Sequence, residues 1–352
     1  MEKIYIDSEN IDLDLVKNVA SLIRKGKIVA LPTETVYGLA VNLDNTEALQ
    51  RLYSIKQRPP DKLSTIHIGE PSDIDFFIDV LPVYGYKLID KFWPGPLTII
   101  YYKKDSKQTL GLRCPSHPLT SLILKESLCK VVMPSANITG SPPAVSAQEV
   151  EDIFGAKLDC IVDSLSPKFK VASTIVDLTK RPFEVLREGS ISRDDIESAV
   201  NAKNVLFVCT GNTCRSIMAE YLLKLSLSRK REDIVSTIEI SSCGVGALDG
   251  FSPSPETLQL LAKEGIDASG HHSKKITMNL IRSSDIIIVM QRRHRDVIVG
   301  MEPSAMPRIF LMGSFLGEDA QDIPDPMGGT EEDYNTSFSL IRKAIEKIVD
   351  WL

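Results

Sequence analysis

The sequence predicts two α/β domains in tandem, on three observations. The chain has 352 residues, more than twice a common domain length. From Asn204 onward, short apolar runs alternate with helix-periodic segments, which implies a doubly wound parallel sheet with helices on both faces. Before Asn201 strands and helices are mixed, several strands are separated by long connections, and no repeat or low-complexity segment occurs; the class there is α/β or α+β. The boundary is placed near Asn201, giving domains 1–200 and 201–352.

In the first half, residues 4–6 read as a strand. Asp12 caps a helix whose apolar positions Leu15, Val16, Val19, Leu22 and Ile23 recur at helical spacing, and Gly26 ends it. Residues 27–31 form a buried strand leading into Pro32-Thr-Glu-Thr-Val-Tyr-Gly-Leu39. Asn45 opens a helix through Leu49, Leu52 and Ile55 that stops at Lys56-Gln-Arg-Pro-Pro60, where proline cannot continue it. Residues 64–68 and 97–102 read as strands, with Trp93-Pro-Gly-Pro96 as a turn. Residues 131–133 form a strand that ends in Pro134-Ser-Ala-Asn137. Ser146 caps a helix, with Glu149 completing a capping box. Residues 171–178 and 183–186 are strands, and 192–202 is a polar helix or linker.

In the second half, strands are expected at 204–208, 236–242, 285–290 and 307–312. Helices are expected at 215–228, 254–264, 291–299 and 331–351. Thr330 caps the last helix, Asp333 sits at its third position, and Tyr334, Phe338, Ile341, Ile345 and Ile348 form a core stripe.

Composition excludes some classes. Hydrophobic residues at 43% and charged ones at 25% describe an ordinary globular protein. The 41 Lys and Arg against 47 Asp and Glu leave a net charge of −6, with no global pull toward nucleic acid or anionic membrane; a local basic patch stays open. No apolar run reaches the length of a membrane span, and the N-terminus has no signal-peptide core. Cysteines 114, 129, 160, 209, 214 and 243 form no Cys-x2-Cys pair or disulfide framework, so a reducing, cytoplasmic setting is expected.

The chemistry of the second half concentrates in Asn204-Val-Leu-Phe-Val-Cys-Thr-Gly-Asn-Thr-Cys-Arg-Ser216. Cys209 ends an apolar strand and faces a loop that leads into a helix N-terminus. Backbone N–H groups there lower a thiol's pKa and suit a phosphate dianion. Arg215, after five intervening residues, can grip two phosphate oxygens as a fork. Gly211 and Asn212 are expected to supply unusual backbone angles, and Ser216 a hydroxyl. Nucleophile and anion cradle in one loop suit covalent phosphoryl transfer to sulfur.

Val208-Cys-Thr-Gly-Asn-Thr-Cys-Arg-Ser-Ile-Met-Ala-Glu220 resembles the signature of the low-molecular-weight protein tyrosine phosphatases, and the resemblance runs from about residue 203 to the C-terminus. It implies a general acid in an Asp-Pro loop. Ile323-Pro-Asp-Pro-Met-Gly-Gly329 supplies Asp325, and its neighbour Asp322 lacks the following proline. Asp285, Met290 and His294 match the pattern as scaffold. Within this family, threonine before the second loop cysteine goes with protein phosphoarginine and a bulky aliphatic residue with phosphotyrosine. Here Thr213 stands there, and Met327 and Gly328 replace tyrosines that flank the acid in many tyrosine-specific members. Phosphoarginine is favoured and phosphotyrosine is the alternative. Cys214, close to Cys209, is expected to pair with it under mild oxidation.

In the first half, polar and cationic groups recur after strands: Thr33, Thr35 and Tyr37; Lys56, Arg58 and Lys62; Ser135 and Asn137; Arg113 and Arg187. Together they suit a nucleoside triphosphate or another polyanion. There is no Gly-x4-Gly-Lys-Ser/Thr loop, and Gly244-x-Gly246 completes no dinucleotide fingerprint.

Pro32–Leu39, Lys56-x-Arg58-Pro, Trp93-Pro-Gly-Pro-Leu-Thr98, Arg113-x-Pro115, Pro134–Asn137, Ser173-Thr-Ile-Val-Asp-Leu178 and Arg187-Glu-Gly189 resemble, in order, the YrdC-like L-threonylcarbamoyl-adenylate synthases. The resemblance covers roughly residues 10–195. It implies a twisted open α/β fold with a large cavity. It also implies ATP, L-threonine and bicarbonate as substrates, usually with magnesium (Mg2+). The carbamate of threonine attacks the α-phosphate of ATP and releases pyrophosphate, and the product feeds threonylcarbamoyladenosine modification of tRNA. By position, Lys56, Arg58 and Lys62 would neutralise the triphosphate, and Ser135, Asn137 and Arg187 would hold the nucleotide. Thr35, His67, Arg113 and Ser173 would hold threonine, and Thr33 and Thr109 belong to the same substrate- and ATP-binding set. Leu63-Ser64 departs from the family's Pro or Gly then Leu. Longer members carry an extra C-terminal domain where this chain has its phosphatase-like half.

The reading is therefore a bifunctional enzyme. Its partners are the small substrates, phosphorylated proteins and, indirectly, the tRNA-modification machinery, with RNA contact open and no membrane. A chain with one half reduced to an RNA- or phosphoprotein-binding module is the alternative. An arsenate reductase would need more redox cysteines after the loop than Cys243.

Overall fold

A computed structural model describes residues 1–7, 10–57, 59, 65–164, 166–181, 183–317 and 321–352. Arg58, Lys62 and the Leu63-Ser64 departure lie outside the described residues. The chain divides into two compact units, Met1–Glu197 and Ser198–Leu352.

The first unit is built on a mixed ten-stranded sheet. Its strands are β1 (Glu2–Tyr5), β2 (Val29–Leu31), β3 (Gly38–Asn42), β4 (Thr65–His67), β5 (Leu97–Tyr102), β6 (Thr109–Arg113), β7 (Val131–Val132), β8 (Cys160–Asp163), β9 (Thr174–Asp177) and β10 (Glu184–Arg187). They lie in the order β1-β8-β2-β3-β7-β4-β6-β5-β9-β10. The helix Leu13–Arg24 starts where expected, because the Asp12 carboxylate accepts from the N–H groups of Asp14 and Leu15. Asn45 caps Thr46–Lys56 through the Ala48 N–H. Gln57, with φ +49°, ends that helix before the prolines are reached.

Ser146 caps Ala147–Phe154 as read, but Glu149 reaches the Val145 N–H at 2.8 Å instead of closing the box on the cap residue. The turn at Trp93 has a cis Trp93–Pro94 bond and is closed by the indole N–H on the Leu97 carbonyl at 2.7 Å. Strands β3, β6 and β8 and the helices Val83–Phe92 and Pro118–Ser127 were not separated by the sequence patterns. Pro118–Ser127 buries Leu119, Thr120, Ile123, Leu124 and Ser127 at helical spacing, so its period was present in the sequence; Val83–Phe92 buries the continuous run 85–89.

The second unit holds four parallel strands, β11 (Lys203–Cys209), β12 (Ile238–Gly244), β13 (Ile286–Val289) and β14 (Ile309–Leu311), in the order β12-β11-β13-β14. Alternate residues of β11 build two cores. Val205, Phe207 and Cys209 pack with Ile217, Leu223 and the closing helix Glu331–Trp351. Leu206 and Val208 pack with Ile287, Val289 and Ile298 on the other face. Burial on both faces explains the unbroken apolar run. The order reverses beside β11, so the crevice of this doubly wound sheet opens at the C-terminal end of that strand, at Cys209. No helix among the described residues is long and apolar enough to cross a membrane.

Candidate active sites

In the second unit the loop after β11 wraps the Cys209 sulfur. The Asn212 N–H points at Sγ at 3.2 Å, and the Ser216 hydroxyl lies 3.0 Å away. The strained residue of the loop is Asn212, at φ +53°. Gly211, expected to share that role, has no positive φ. Asparagine tolerates the left-handed region, and its side chain fixes the loop. Nδ2 donates to Ser216 Oγ (3.0 Å) and Ser242 Oγ (2.8 Å), and Oδ1 accepts from the Lys274 N–H (2.8 Å). Ser242 passes the chain on to the buried Glu220 carboxylate at 2.6 Å. This network of Asn212, Ser242 and Glu220 was not singled out from the sequence. Glu220 lay inside the recognised motif, but nothing in the pattern said that it turns inward.

Arg215 opens the helix Arg215–Lys230 and is almost wholly buried. Nη1 donates to the Ile323 carbonyl at 3.0 Å, Nη2 pairs with the Asp325 carboxylate, and Nε is buried with no partner. Arg293 adds a second guanidinium, 3.4 Å from Asp325 and 3.1 Å from Thr210 Oγ1. His294 is pushed down to about 4 by burial and by Arg215 and Arg293, so its ring is neutral. Nδ1 accepts from the Gln291 N–H, which leaves the proton on Nε2 to donate to Thr210 Oγ1 at 3.0 Å. Asp322 is committed elsewhere, because it accepts from the Arg292 N–H at the start of the helix Arg292–Met301 at 3.0 Å. Thr213 is half-buried, and Cys214 is buried with Ser254 Oγ at 3.5 Å and Tyr334 Oη at 3.7 Å from its sulfur.

In the first unit the register sets one row across six strands: Arg187, Ile175, Thr98, Arg113, His67 and Val131. Paired residues share a sheet face, so Arg187, Thr98, Arg113 and His67 stand together although 120 residues separate the ends of the set in sequence. Ser173, one residue before β9, joins them. Its hydroxyl lies 2.9 Å from Thr98 Oγ1, and Arg187 grips its carbonyl with Nε (3.0 Å) and Nη2 (2.8 Å). Thr33 and Thr35 share a 2.9 Å hydrogen bond, and Thr35 Oγ1 accepts from Arg113 Nη2 at 2.7 Å. Burial and Arg113 press His67 down to about 3; Nδ1–H donates to the Thr65 carbonyl at 3.2 Å, which leaves Nε2 as an acceptor.

Two residues of the expected set, Lys56 and Thr109, lie in places that the sequence did not indicate. Lys56 is buried with its ammonium on the Ser135 and Asn137 carbonyls and 3.4 Å from Asn137 Oδ1. In this arrangement it clasps the loop 135–137, beside two other residues of the nucleotide set, Ser135 and Asn137. Thr109 sits at the start of β6, at the opposite end from Arg113, about 13 Å along the strand; the row does not bring it in. Glu34 was missed. It lies between two marked threonines and carries the ion pair to Arg113 at 2.7 Å. Among the described residues no cluster of three or more His, Cys, Asp or Glu could hold a metal ion. Magnesium accompanying a triphosphate would draw its ligands chiefly from phosphate and water oxygens.

A cysteine at a switch point with an anion loop and a buried arginine makes the second unit phosphatase-like, and the first unit is a mixed α/β sheet that carries Arg187, Thr98, Arg113 and His67 in one row. The chain belongs to the Sua5/YciO/YrdC family, whose model, described as "Telomere recombination", matches residues 21–189; residues 204–352 match the low molecular weight phosphotyrosine protein phosphatase family. A threonylcarbamoyl-AMP synthase of Pyrococcus abyssi is 34% identical over 54% of this chain and 59% of its own length. The matched stretch thus spans little more than half of that relative. A threonylcarbamoyl-AMP synthase of Cellvibrio japonicus is 30% identical over 46% of this chain and 90% of its own. The crystal structure of P. abyssi Sua5 complexed with L-threonine has a TM-score of 0.54 at 20% identity, covering 99% of this chain and 98% of that one. The YwlE arginine phosphatase of Geobacillus stearothermophilus is 32% identical over 42% of this chain and 92% of its own, with a TM-score of 0.38.

Proposed function

We propose that the chain is a bifunctional enzyme. Residues 1–200 form L-threonylcarbamoyladenylate and pyrophosphate from L-threonine, bicarbonate and ATP, and residues 201–352 hydrolyse protein phosphoarginine through a phosphocysteine intermediate. The observation that carries the first half is the row of Arg187, Thr98, Arg113 and His67 beside Thr35 and Ser173. It offers an arginine and hydroxyls to a small amino acid, and Arg187, Ser135 and Asn137 are assigned to the nucleotide. Catalysis there is positioning and charge neutralisation.

In the second half, Cys209 attacks phosphorus while the loop amides and Arg215 Nε hold the phosphoryl oxygens. Ser216 hydrogen-bonds the sulfur, which leaves as thiolate in the second step. Asp325, already beside Arg215, protonates the leaving nitrogen and then takes a proton from the attacking water. The half-buried Thr213 leaves space at the mouth of the loop for a guanidinium. It is the basis for favouring phosphoarginine; phosphotyrosine is the second reading.

The deciding experiment compares phosphoarginine and phosphotyrosine peptides with the full chain and a Thr213→Ile variant, alongside pyrophosphate release. The phosphoarginine preference is expected to fall in the variant, and pyrophosphate release to need both threonine and bicarbonate. Equal rates on both peptides, unchanged by the substitution, remove the specificity assignment. Pyrophosphate release indifferent to threonine removes the synthase assignment.

A further inference from the structure

We propose that Glu34 is the residue that recognises the α-ammonium group of the amino-acid substrate, releasing Arg113 to the substrate carboxylate as it does so. The inference rests on the synthase reading above and adds a residue and a selection rule to it.

Glu34 and Arg113 form a buried ion pair, with side chains 7% and 6% exposed. One carboxylate oxygen takes Arg113 Nη2 at 2.7 Å, and the other takes the Ser116 N–H at 3.1 Å. The same Nη2 also donates to Thr35, while Arg113 Nε is buried with no acceptor. A buried N–H without a partner costs about 1–3 kcal/mol, so this arginine is arranged for an acceptor that arrives from outside.

A simple carboxylate would be a poor arrival. It would place a second negative charge beside Glu34, whose side chain is only 7% exposed, with no new positive charge to compensate. A zwitterion has no such difficulty. Its carboxylate takes Arg113 and its ammonium takes Glu34, and the net charge buried in the site is the same before and after. Among the described residues of this row, the neighbours leave the task to Glu34. His67 is held neutral beside Arg113, Arg187 is a cation, and Thr35, Thr98 and Ser173 are neutral hydroxyls. The hydroxyls suit a small polar side chain, and the Arg–Glu pair suits the α-amino-acid head group. Ser116 fixes the second oxygen through a backbone amide, so Glu34 stays in place when the arginine turns away.

Calorimetry on the full chain tests this with two ligands, L-threonine and its deaminated analogue 3-hydroxybutyrate, on wild type and Glu34→Gln. ATP binding serves as the control for folding. The wild type is expected to prefer threonine. Glu34→Gln is expected to lower the ratio of threonine to hydroxybutyrate affinity at least tenfold while ATP binding changes less than twofold. A ratio unchanged within twofold, with both ligands weakened alike, would make Glu34 a prop for Arg113 and overturn the proposal. A wild type that binds ATP and hydroxybutyrate but shows no preference for threonine overturns it as well. A wild type that binds none of the three overturns the synthase reading itself, and that result is distinct from the other two.

Discussion

Each unit buries one arginine beside a carboxylate and leaves its Nε–H unmet: Arg215 with Asp325, and Arg113 with Glu34. The two pairs differ in what surrounds them. Asp325 lies on a loop with its side chain 33% exposed and touches a second, surface guanidinium, whereas Glu34 is 7% exposed and anchored by a backbone amide. A phosphoryl dianion can push an exposed carboxylate aside and then use it as an acid. A sealed carboxylate stays and must be matched by a ligand that carries its own positive charge. On the functions proposed above, the same pair of side-chain types would serve an anion in one site and a zwitterion in the other, with burial making the difference.

The largest test of this contrast is Cys209→Ser. The phosphatase site depends on one atom in one loop, so turnover should fall by more than about 10³-fold. Threonine-dependent pyrophosphate release should stay within twofold. Loss of both activities in a folded protein would break the separation of the two units. Next comes Asp325→Asn, expected to slow release of a poor leaving group about 10²–10³-fold, against less than threefold for Asp322→Asn. Equal losses would hand the acid role to Asp322, against its place on the Arg292 amide.

The contrast also sets how much of each site could be read from the chain. Cys209, Asn212, Arg215 and Ser216 fall within eight residues, so a strand followed by a helix placed them almost without further knowledge. Asp325 was singled out as the candidate acid by the family's Asp-Pro pattern, with the following proline separating it from Asp322. The row in the first unit spans residues 67–187 and depends on strand order and register, which no local pattern encodes. Its members were legible only as an ordered set of family motifs. Glu34 stayed hidden because a carboxylate among hydroxyls reads as solvated loop until a distant arginine is folded against it. The clasp made by Lys56 was hidden in the same way, since its carbonyl acceptors lie 79 and 81 residues away.

The two neutral histidines separate the units in acid. Unfolded, both rings protonate near pH 6.5; folded, His294 does so at about 4 and His67 at about 3. Both folded values are lowered. The stability that each neutral ring confers is therefore complete above about pH 6.5 and is lost as the pH falls toward the folded value. By pH 4.5 each ring should have cost its unit roughly 2–3 kcal/mol, and the loss should continue about one pH unit further in the first unit. Urea unfolding at pH 7 and 4.5 measures it, with His67→Gln and His294→Gln expected to flatten the slope of their own unit. A slope unmoved by either variant would mean that those rings titrate normally. Lys56→Met comes next, at about 2 kcal/mol, since it leaves the Ser135 and Asn137 carbonyls without their ammonium donor. It should lower the melting temperature of the first unit and leave the phosphatase rate unchanged.

The smallest effect tests the exposed carboxylate most directly. Arg293 reaches Thr210 Oγ1 at 3.1 Å and Asp325 at 3.4 Å, but its side chain is 60% exposed. Solvent screens such a pair, so its value is below about 1 kcal/mol, or roughly three- to fivefold in rate. If Arg293 steadies Asp325 over the loop once phosphate has claimed Arg215, its loss should matter only where protonation of the leaving group limits the rate. Arg293→Ala is then expected to slow a phosphate ester with a poor leaving group three- to fivefold and to spare p-nitrophenyl phosphate, whose leaving group needs little help. The difference should shrink in 0.5 M salt, and Arg293→Lys should restore part of it. Equal slowing of both substrates would place Arg293 on the phosphoryl group instead. Asp325 would then be steadied by Arg215 alone, and the second guanidinium would cease to distinguish this carboxylate from Glu34.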